Sequence, residues 1–555
     1  MSATEFEGSS HLKGLDEDSM QMVIDTVDQI KKRLLPRETI LEFDKNNTFP
    51  EEIIRTMLGP DIGLHLLFIP EEYGGMGGGA RDSCALVRAI SRICLGVSTA
   101  FFAIQLGADP LLVGGTEEQK QKWLGAISEG NTMVAYAVTE AEAGSNLAAL
   151  KTKADSVMNE DGEITGYRIN GSKQFISTGG YADFITLLAK TPEGPTFFIV
   201  EKGTKGFVQG KGEEKHGLHA SNTSPLSFTD VFVPVENLIG GIPGQGLKQA
   251  GKVFGYTRLM VAAMALGAGE AALNIVIPYA KERIQFGSSL SEKQGYTHKF
   301  VVPNAVRMEA ADAYMEEVGL RCDSGEEGLD VEGSIAKLFA TETANKTAED
   351  AIQALGGYGY ICEYEVEKIK RDVKVTCIYE GTSEIQQNII STFRWKKTRK
   401  TKGAFYTDMA LEMEKLDAEM DEMGCKYYAL AARALNELVN LVHENKLTRK
   451  QFIMFTLADL MTLVEVGISF ARKAFALAKK GNPDAEKIRV MNRIFANEVA
   501  DITAESIRKI LMGTGHFDNS FKTGFMEKVS YDQLAGSCEN IINDMDQVAD
   551  IIFER

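Results

Sequence analysis

One carboxylate stands out by its neighbours. In Arg371-Asp-Val-Lys-Val-Thr-Cys-Ile-Tyr-Glu-Gly-Thr-Ser-Glu-Ile-Gln386, Glu380 lies between Tyr379 and Gly381. Glycine after an acid lets the backbone come close to a ligand. Thr382 and Ser383 add hydroxyls and N–H groups at the next turn. An acid with open backbone beside it suits abstraction of a proton next to a carbonyl. The same residues fit a plainer role, since Thr382-Ser-Glu384 ahead of Ile385 has the form of a helix-capping segment. Cys377 fits either the wall of such a site or burial as a small apolar side chain.

The elements that must position these residues follow from patterning. Helical spacing marks residues 20–35 and 85–95. Between them runs a glycine-rich loop, Ile69-Pro-Glu-Glu-Tyr-Gly-Gly-Met-Gly-Gly-Gly79. Residues 75–80 formally fit a permissive dinucleotide fingerprint, but no strand–helix unit frames them and Pro70 sits just before, so that reading is rejected. Asp161-Gly162 and Asn170-Gly171 read as hairpin turns. Residues 184–188, 197–200 and 228–233 read as strands. Helices are expected over 259–283, 306–320 and 334–353, the first rich in small residues that favour close packing. The basic run 396–402 reads as a solvated linker, and Gly481-Asn-Pro483 should stop a helix that begins near Arg449. The expected fold is mainly α with a central β domain. Its expected parts are an N-terminal helical domain (1–133), a middle β domain (134–243), a helical bundle carrying Glu380 (244–395) and a further C-terminal helical domain (396–555).

Composition narrows the functions available. The chain has 555 residues, with 44% apolar and 25% charged, enough for several domains with substantial cores. A net charge of −18 argues against nucleic-acid partners and against adsorption to anionic lipid. The seven cysteines are scattered, odd in number and form no Cys-x-x-Cys, so they read as reduced, mostly buried thiols. Residues 1–15 are polar and acidic and lack an apolar signal core or Arg-rich transit pattern. The most apolar helical stretch, 452–471, contains Asp459 and Glu465 and is not expected to span a membrane. A cytoplasmic protein is expected. His216 and His219 have a metal-like spacing without an adjoining Cys or His cluster, and no metal site is expected.

Several segments together resemble the acyl-CoA dehydrogenases. The Tyr-Glu-Gly-Thr of residues 379–382 resembles the family's C-terminal signature, whose Glu is the catalytic base. The loop 70–75 resembles the family's Pro-Glu-Glu-Tyr-Gly-Gly. Tyr136-Ala-Val-Thr-Glu-Ala-Glu-Ala-Gly-Ser-Asn146 resembles its Thr-Glu-Pro-Gly-Ala-Gly-Ser-Asp motif, with Ala141, Glu142 and Asn146 as departures. Lys173-Gln-Phe-Ile-Ser-Thr-Gly-Gly180 resembles the strand that covers the flavin, with Phe175 in place of Trp and Ser177 in place of Thr. The i, i+2 spacing of these two would put them on one strand face. Arg283-Ile-Gln-Phe-Gly287 resembles Arg-x-x-Phe-Gly, whose arginine typically meets the FAD of the neighbouring subunit; a guanidinium fork suits pyrophosphate. Gln353-Ala-Leu-Gly-Gly357 resembles the segment on the FAD adenosine side, although a glycine-capped helix end would look the same.

Carried over residue by residue, the resemblance implies FAD contacts at Tyr136, Val138, Thr139, Phe175, Ser177, Arg283, Phe286, Gln353, Leu355, Gly356, Gly357, Thr382 and Glu384. It implies acyl-CoA contacts at Thr99, Phe102, Ser145, Arg258, Tyr379 and Gly381. Some members carry their base on the residue before the arginine of Tyr256-Thr-Arg258; Thr257 stands there, which leaves Glu380. The implied reaction is FAD-dependent α,β-dehydrogenation of an acyl-CoA thioester. Glu380 takes the α-proton, its pKa raised by burial, and the flavin takes the β-hydride. The N–H of Glu380 and a flavin ribitol hydroxyl stabilise the enolate oxygen. Electrons pass to an electron-transfer flavoprotein. The tail after 395 resembles the extra domain of the very-long-chain branch, which implies a homodimer. No arginine lies between Arg92 and Glu118 to clamp a second carboxylate, so an aliphatic or alicyclic acyl group is expected. Two alternatives stay open: an enoyl-CoA reductase or acyl-CoA oxidase using the same site, and a non-enzymatic scaffold of this fold.

Overall fold

The computed structural model describes residues 14–555, so residues 1–13 of the polar N-terminal stretch lie outside the described residues. The chain divides into two compact units. The first comprises Met1–Ala268, Gly319–Asp330 and Lys368–Thr376; the second comprises Gly269–Val318, Val331–Glu367 and Cys377–Arg555.

The first unit joins helices to a seven-stranded sheet. Its strands are β1 (Val134–Ala137), β2 (Lys153–Met158), β3 (Ile164–Ser177), β4 (Phe184–Thr191), β5 (Gly194–Glu201), β6 (Phe207–Gln209) and β7 (Thr223–Pro234). The order is β1-β4-β2-β3-β7-β6, with β5 also paired to β4. β4 is buried at nearly every position, which explains its continuous apolar run. β7 alternates instead, but its inward residues step from Phe228 to Val231, one residue too many. The extra residue is absorbed at Asp230, whose φ of 52° is left-handed. The partner strand shifts register between Ile169 and Gly171, and Asn170 Oδ1 accepts a hydrogen bond from Asp230 N at 2.8 Å. Asn170-Gly171 therefore lies inside β3 opposite a bulge of β7 and is not the expected hairpin turn. The turn at Asp161-Gly162 does join β2 to β3.

The glycine-rich loop is dictated by close backbone packing. A Cβ on Gly75 would lie 1.9 Å from Ile69 O, so no side chain fits there. A short 3-10 turn, Glu71–Tyr73, and the helix Ala80–Ile93 flank the loop. The helix Leu95–Gly114 is apolar all round and buried on all sides, as such composition requires. Among the described residues, three helices are long and apolar enough to cross a membrane: Leu95–Gly114, Gly246–Glu282 and Gln451–Lys479. Their most apolar windows are 83%, 72% and 78% buried inside protein.

The second unit is helical apart from a small hairpin, β8 (Ile284–Gln285) and β9 (Ser288–Ser289). Helices Val302–Asp323 and Asp330–Leu355 extend the expected ones, and Gly246–Glu282 begins well before residue 259. The helix Ser383–Lys400 runs through most of the basic segment. Residues 396–402 thus form a helix end and turn, not a solvated linker; Lys397, Arg399 and Lys400 complement the negative end of the helix dipole. Gln451–Lys479 ends before Gly481 and Pro483, as expected. Helices from Ala404 to Phe553 pack on the bundle through a buried ionic cluster. Arg394 bonds Glu465 Oε1 and Oε2 at 2.8 and 2.7 Å and Glu332 at 3.0 Å, and Tyr406 donates to Glu465 at 3.1 Å. Of the cysteines, Cys84, Cys94, Cys377 and Cys425 are buried, whereas Cys362 and Cys538 are exposed.

Candidate active site

In the first unit, the predicted flavin residues gather around the end of β1. Tyr136 lies in β1 with its ring stacked on Phe197, Val138 is buried and Thr139 is half-buried. Gln174 N donates to Thr139 O at 2.9 Å, which ties the β1 exit to the Phe175 segment of β3. Phe175 is 62% exposed with a left-handed φ of 60°, and the β3–β7 register shifts between Lys173 and Ile176. Regular alternation therefore breaks at Phe175, and the two-residue spacing to Ser177 does not by itself set a shared face. A non-glycine residue in this conformation costs about 1–2 kcal/mol and must be held by its surroundings.

A buried ion pair anchors β3 two residues before Phe175, and sequence reasoning missed it. Lys173 Nζ donates to Glu140 Oε1 at 2.7 Å and to Val138 O at 2.9 Å. Glu140 also accepts from the N–H groups of Lys151 and Thr152 at 2.6 and 3.1 Å. Burial pushes the Lys173 ammonium down to about 8 against the pull of Glu140. Burial alone would raise the Glu140 carboxyl, but its bonds to Lys173 and the two N–H groups hold it below the usual range. Both groups are charged at neutral pH. The available signal was one acid and one lysine, each within a motif segment next to predicted flavin residues.

The predicted substrate residues of this unit are more dispersed. Thr99 and Phe102 are buried in Leu95–Gly114, and Thr99 Oγ1 has no hydrogen-bond partner. Thr178 Oγ1 reaches Ala100 O at 3.5 Å, so this helix abuts the end of the Phe175–Ser177 segment. Ser145 is exposed in the turn after Glu140. Arg258 donates to Asp330 O at 3.2 Å. His219 bonds the carbonyls of Asp44 and Lys215 at 2.7 and 2.9 Å, which accounts for its ring. Arg371, which opens the signature stretch, bonds both Asp44 oxygens at 3.1 and 2.6 Å.

In the second unit, Glu380 and Gly381 are consecutive left-handed residues, with φ of 55° and 88°. Thr382 is the N-cap of Ser383–Lys400, its hydroxyl accepting from Ile385 N at 3.4 Å. The capping reading of the sequence was therefore right, and it leaves the carboxylate on the turn just outside the helix. Tyr379 and Glu380 are half-buried, and Glu384 is exposed in the first turn. Cys377 is buried and accepts from Asn345 Nδ2 at 3.1 Å.

The other predicted cofactor residues of this unit meet in one cleft of about 500 Å³, lined by Arg283, Gln353, Leu355, Gly356 and Gly357 together with Tyr279, Tyr296 and Tyr358. Arg283 lies 5.7 Å from the Tyr358 ring centroid. Gly356 has φ of 60°, and both glycines have open space where a Cβ would be. A guanidinium over an aromatic floor with bare backbone beside it fits a pyrophosphate and a flat base. Phe286 is not in that lining; it is 98% exposed at the tip of the β8–β9 hairpin, with Ile284 64% exposed beside it. The backbone hydrogen bond Leu290 N to Arg283 O closes the hairpin at 2.9 Å.

Comparison with known proteins agrees along the chain. Profiles described as the acyl-CoA dehydrogenase N-terminal, middle and C-terminal domains match residues 17–131, 135–231 and 244–393. An acyl-CoA dehydrogenase of Bacillus subtilis (strain 168) is 40% identical over 66% of this chain and 95% of its own. A short-chain-specific acyl-CoA dehydrogenase of Megasphaera elsdenii is 37% identical, covering 64% and 92%. An NADH-dependent acryloyl-CoA reductase of Anaerotignum propionicum is 38% identical, covering 63% and 88%. Among solved structures, one from work on the electron-transferring flavoprotein of Acidaminococcus fermentans superposes with TM-score 0.63 at 36% identity over 68% of this chain and 98% of that one. An acyl-CoA dehydrogenase of Bacillus anthracis, solved with FAD, shares the fold over 99% of this chain and 97% of that one, with TM-score 0.82 at 24% identity.

Proposed function

Since this chain belongs to the acyl-CoA dehydrogenases, a family of FAD-dependent oxidoreductases, we propose that Glu380 removes the α-proton of an acyl-CoA thioester. The observation that carries the proposal is the turn itself: a carboxylate on a left-handed residue, outside a capped helix, followed by a glycine whose φ is also left-handed. That arrangement places Glu380 on the turn just outside the first turn of the helix. The N–H of Glu380 would polarise the thioester carbonyl as charge develops there. Bound FAD supplies the acceptor for the β-hydride. Thr139 and Ser177 would hold its ring by their hydroxyls, and Phe175 would shield it. Arg283, Gln353 and the glycines of 356–357 would hold the pyrophosphate and adenosine side. Their place on a cleft beside the exposed Ile284 and Phe286 supports the expectation that this FAD belongs to a second copy of the chain.

Ser145 and Arg258 would contact the CoA moiety, and Thr99 and Phe102 the acyl group. An aliphatic or alicyclic acyl-CoA is the proposed substrate class, and an electron-transfer flavoprotein the proposed electron acceptor. The similarity to the Acidaminococcus structure supports the acceptor. The similarity to an acryloyl-CoA reductase favours a second reading, the same site working in the reducing direction. Anaerobic bleaching of the flavin against a panel of acyl-CoA esters tests the proposal, and reoxidation by flavoprotein, NAD⁺ or oxygen separates the two readings. Glu380→Gln is expected to keep FAD and lose turnover; normal turnover in that variant would overturn the assignment.

A further inference from the structure

The turn that carries Glu380 is costly as it stands. Two consecutive residues occupy the left-handed region, and one of them is not glycine. Left-handed backbone at a non-glycine residue costs about 1–2 kcal/mol, and such strain persists only where neighbours over-determine it. Two buried side chains of the second unit do so here. Lys337 has no exposed surface and donates from Nζ to Gly381 O at 2.5 Å. Gln386, equally buried, donates from Nε2 to Glu380 O and to Gly381 O, both at 3.0 Å. Two donors therefore pin two successive carbonyls.

Both side chains incur a cost in doing this. A lysine without solvent contact gives up its hydration. Gln386 leaves its own Oε1 buried without a hydrogen-bond partner, an arrangement that native proteins rarely keep. A capped helix start needs neither group, because Thr382 already satisfies the first turn through Ile385 N. What the two donors do specify is the direction of the peptide planes on either side of Gly381. With those planes fixed, the Cα–Cβ bond of Glu380 has one direction.

We infer that Lys337 and Gln386 are positioning residues for the reaction: they lock the Glu380-Gly381 carbonyls inward and so aim the carboxylate. The inference rests on Glu380 being the base. A misplacement of about 1 Å in a reacting group can cost on the order of a hundredfold in rate. Loss of the Lys337 bond should therefore appear in proton abstraction while binding of FAD and acyl-CoA is spared.

The test uses the FAD-loaded, full-length enzyme with Lys337→Met, Gln386→Met, the double variant and the conservative Lys337→Arg. Folded fraction and FAD content of each variant are measured first, because removing one buried charge can destabilise a fold, and kcat is counted per folded, FAD-loaded enzyme. Lys337→Met is expected to keep wild-type FAD content and KM within about twofold. Its kcat should fall by about 10- to 100-fold, and an α-deuterated substrate should show a larger isotope effect on kcat than in the wild type. Lys337→Arg should recover part of the loss. The double variant should lose less than the product of the two single losses, because both donors act on one turn. Wild-type kcat in Lys337→Met, or a loss that tracks FAD content and folded fraction with no change in isotope effect, would overturn the positioning role. Glu380→Gln run in parallel separates the two ideas: an active Glu380→Gln enzyme refutes the base itself, whereas an inactive one beside unaffected Lys337→Met refutes only the positioning.

Discussion

Glu380 and Gly381 differ in what they tolerate. A Cβ on Gly381 would come 2.7 Å from Gln386 Nε2, and φ there is 88°. Gly381→Ala is expected to cost about 1–2 kcal/mol in stability and to lower kcat, read by urea unfolding and steady-state kinetics. The Glu140–Lys173 pair predicts a larger effect. Lys173→Met leaves a buried carboxylate without its ammonium, a loss of about 3–5 kcal/mol by the same unfolding assay. Replacing both residues by apolar ones should recover much of it. Asp44 predicts a pH dependence. Burial alone would raise its carboxyl, but the hydrogen bond and charge of Arg371, helped by Lys368 and His219, hold it below the usual range. A carboxyl depressed in the folded state adds stability above its unfolded pKa of about 3.9, and that contribution is lost as pH falls through the folded value. Asp44→Asn should thus be less stable than wild type at pH 7, with the gap closing below about pH 4 in pH-dependent thermal melts. Glu380 could be proposed from the sequence because general-base chemistry demands a carboxylate. Lys337, 44 residues from Gly381 in the chain, could not be, since it acts through a main-chain carbonyl that any residue would supply.

Elements declared themselves where one physical demand dominated. The run of β4 is apolar because both its faces are covered, and Gln451–Lys479 stops where Gly481 and Pro483 follow. Reading failed where two structures share a chemistry. Asn-Gly marks a hairpin turn and equally suits a strand position opposite a bulge, where Asn170 accepts from the bulged Asp230 N and Gly171 takes a φ of 151°. A string of lysines and arginines serves a linker and the last turns of a helix equally. The β8–β9 hairpin carries its own prediction. Arg283→Met removes the guanidinium from the cleft it shares with Gly356 and Gly357. It should weaken FAD retention by about tenfold or more, as expected for losing a charge-assisted bond to phosphate, measured as flavin released on dilution.

Taken whole, the chain resembles its relatives over its first two-thirds and shares the full-length fold of the Bacillus anthracis enzyme. The tail was readable as helical, but its attachment was not, because Arg394, Glu332 and Glu465 are far apart in sequence and meet only in the packed unit. Glu465→Gln should lower the melting temperature, and a chain ending at 395 should fail to fold, since it would leave Arg394 without Glu465 and bare the apolar face beneath. If the proposed homodimer is correct, light scattering will give twice the chain mass, and Phe286→Asp will shift it toward the monomer. The three apolar helices bear on the fate of damaged chains. Each has most of its apolar surface covered by packed protein. A chain that loses that cover exposes long apolar segments to chaperones and proteases. Destabilised variants such as Lys173→Met should therefore fall several-fold in cellular abundance, with recovery when proteolysis is blocked, which immunoblotting of expressing cells would measure.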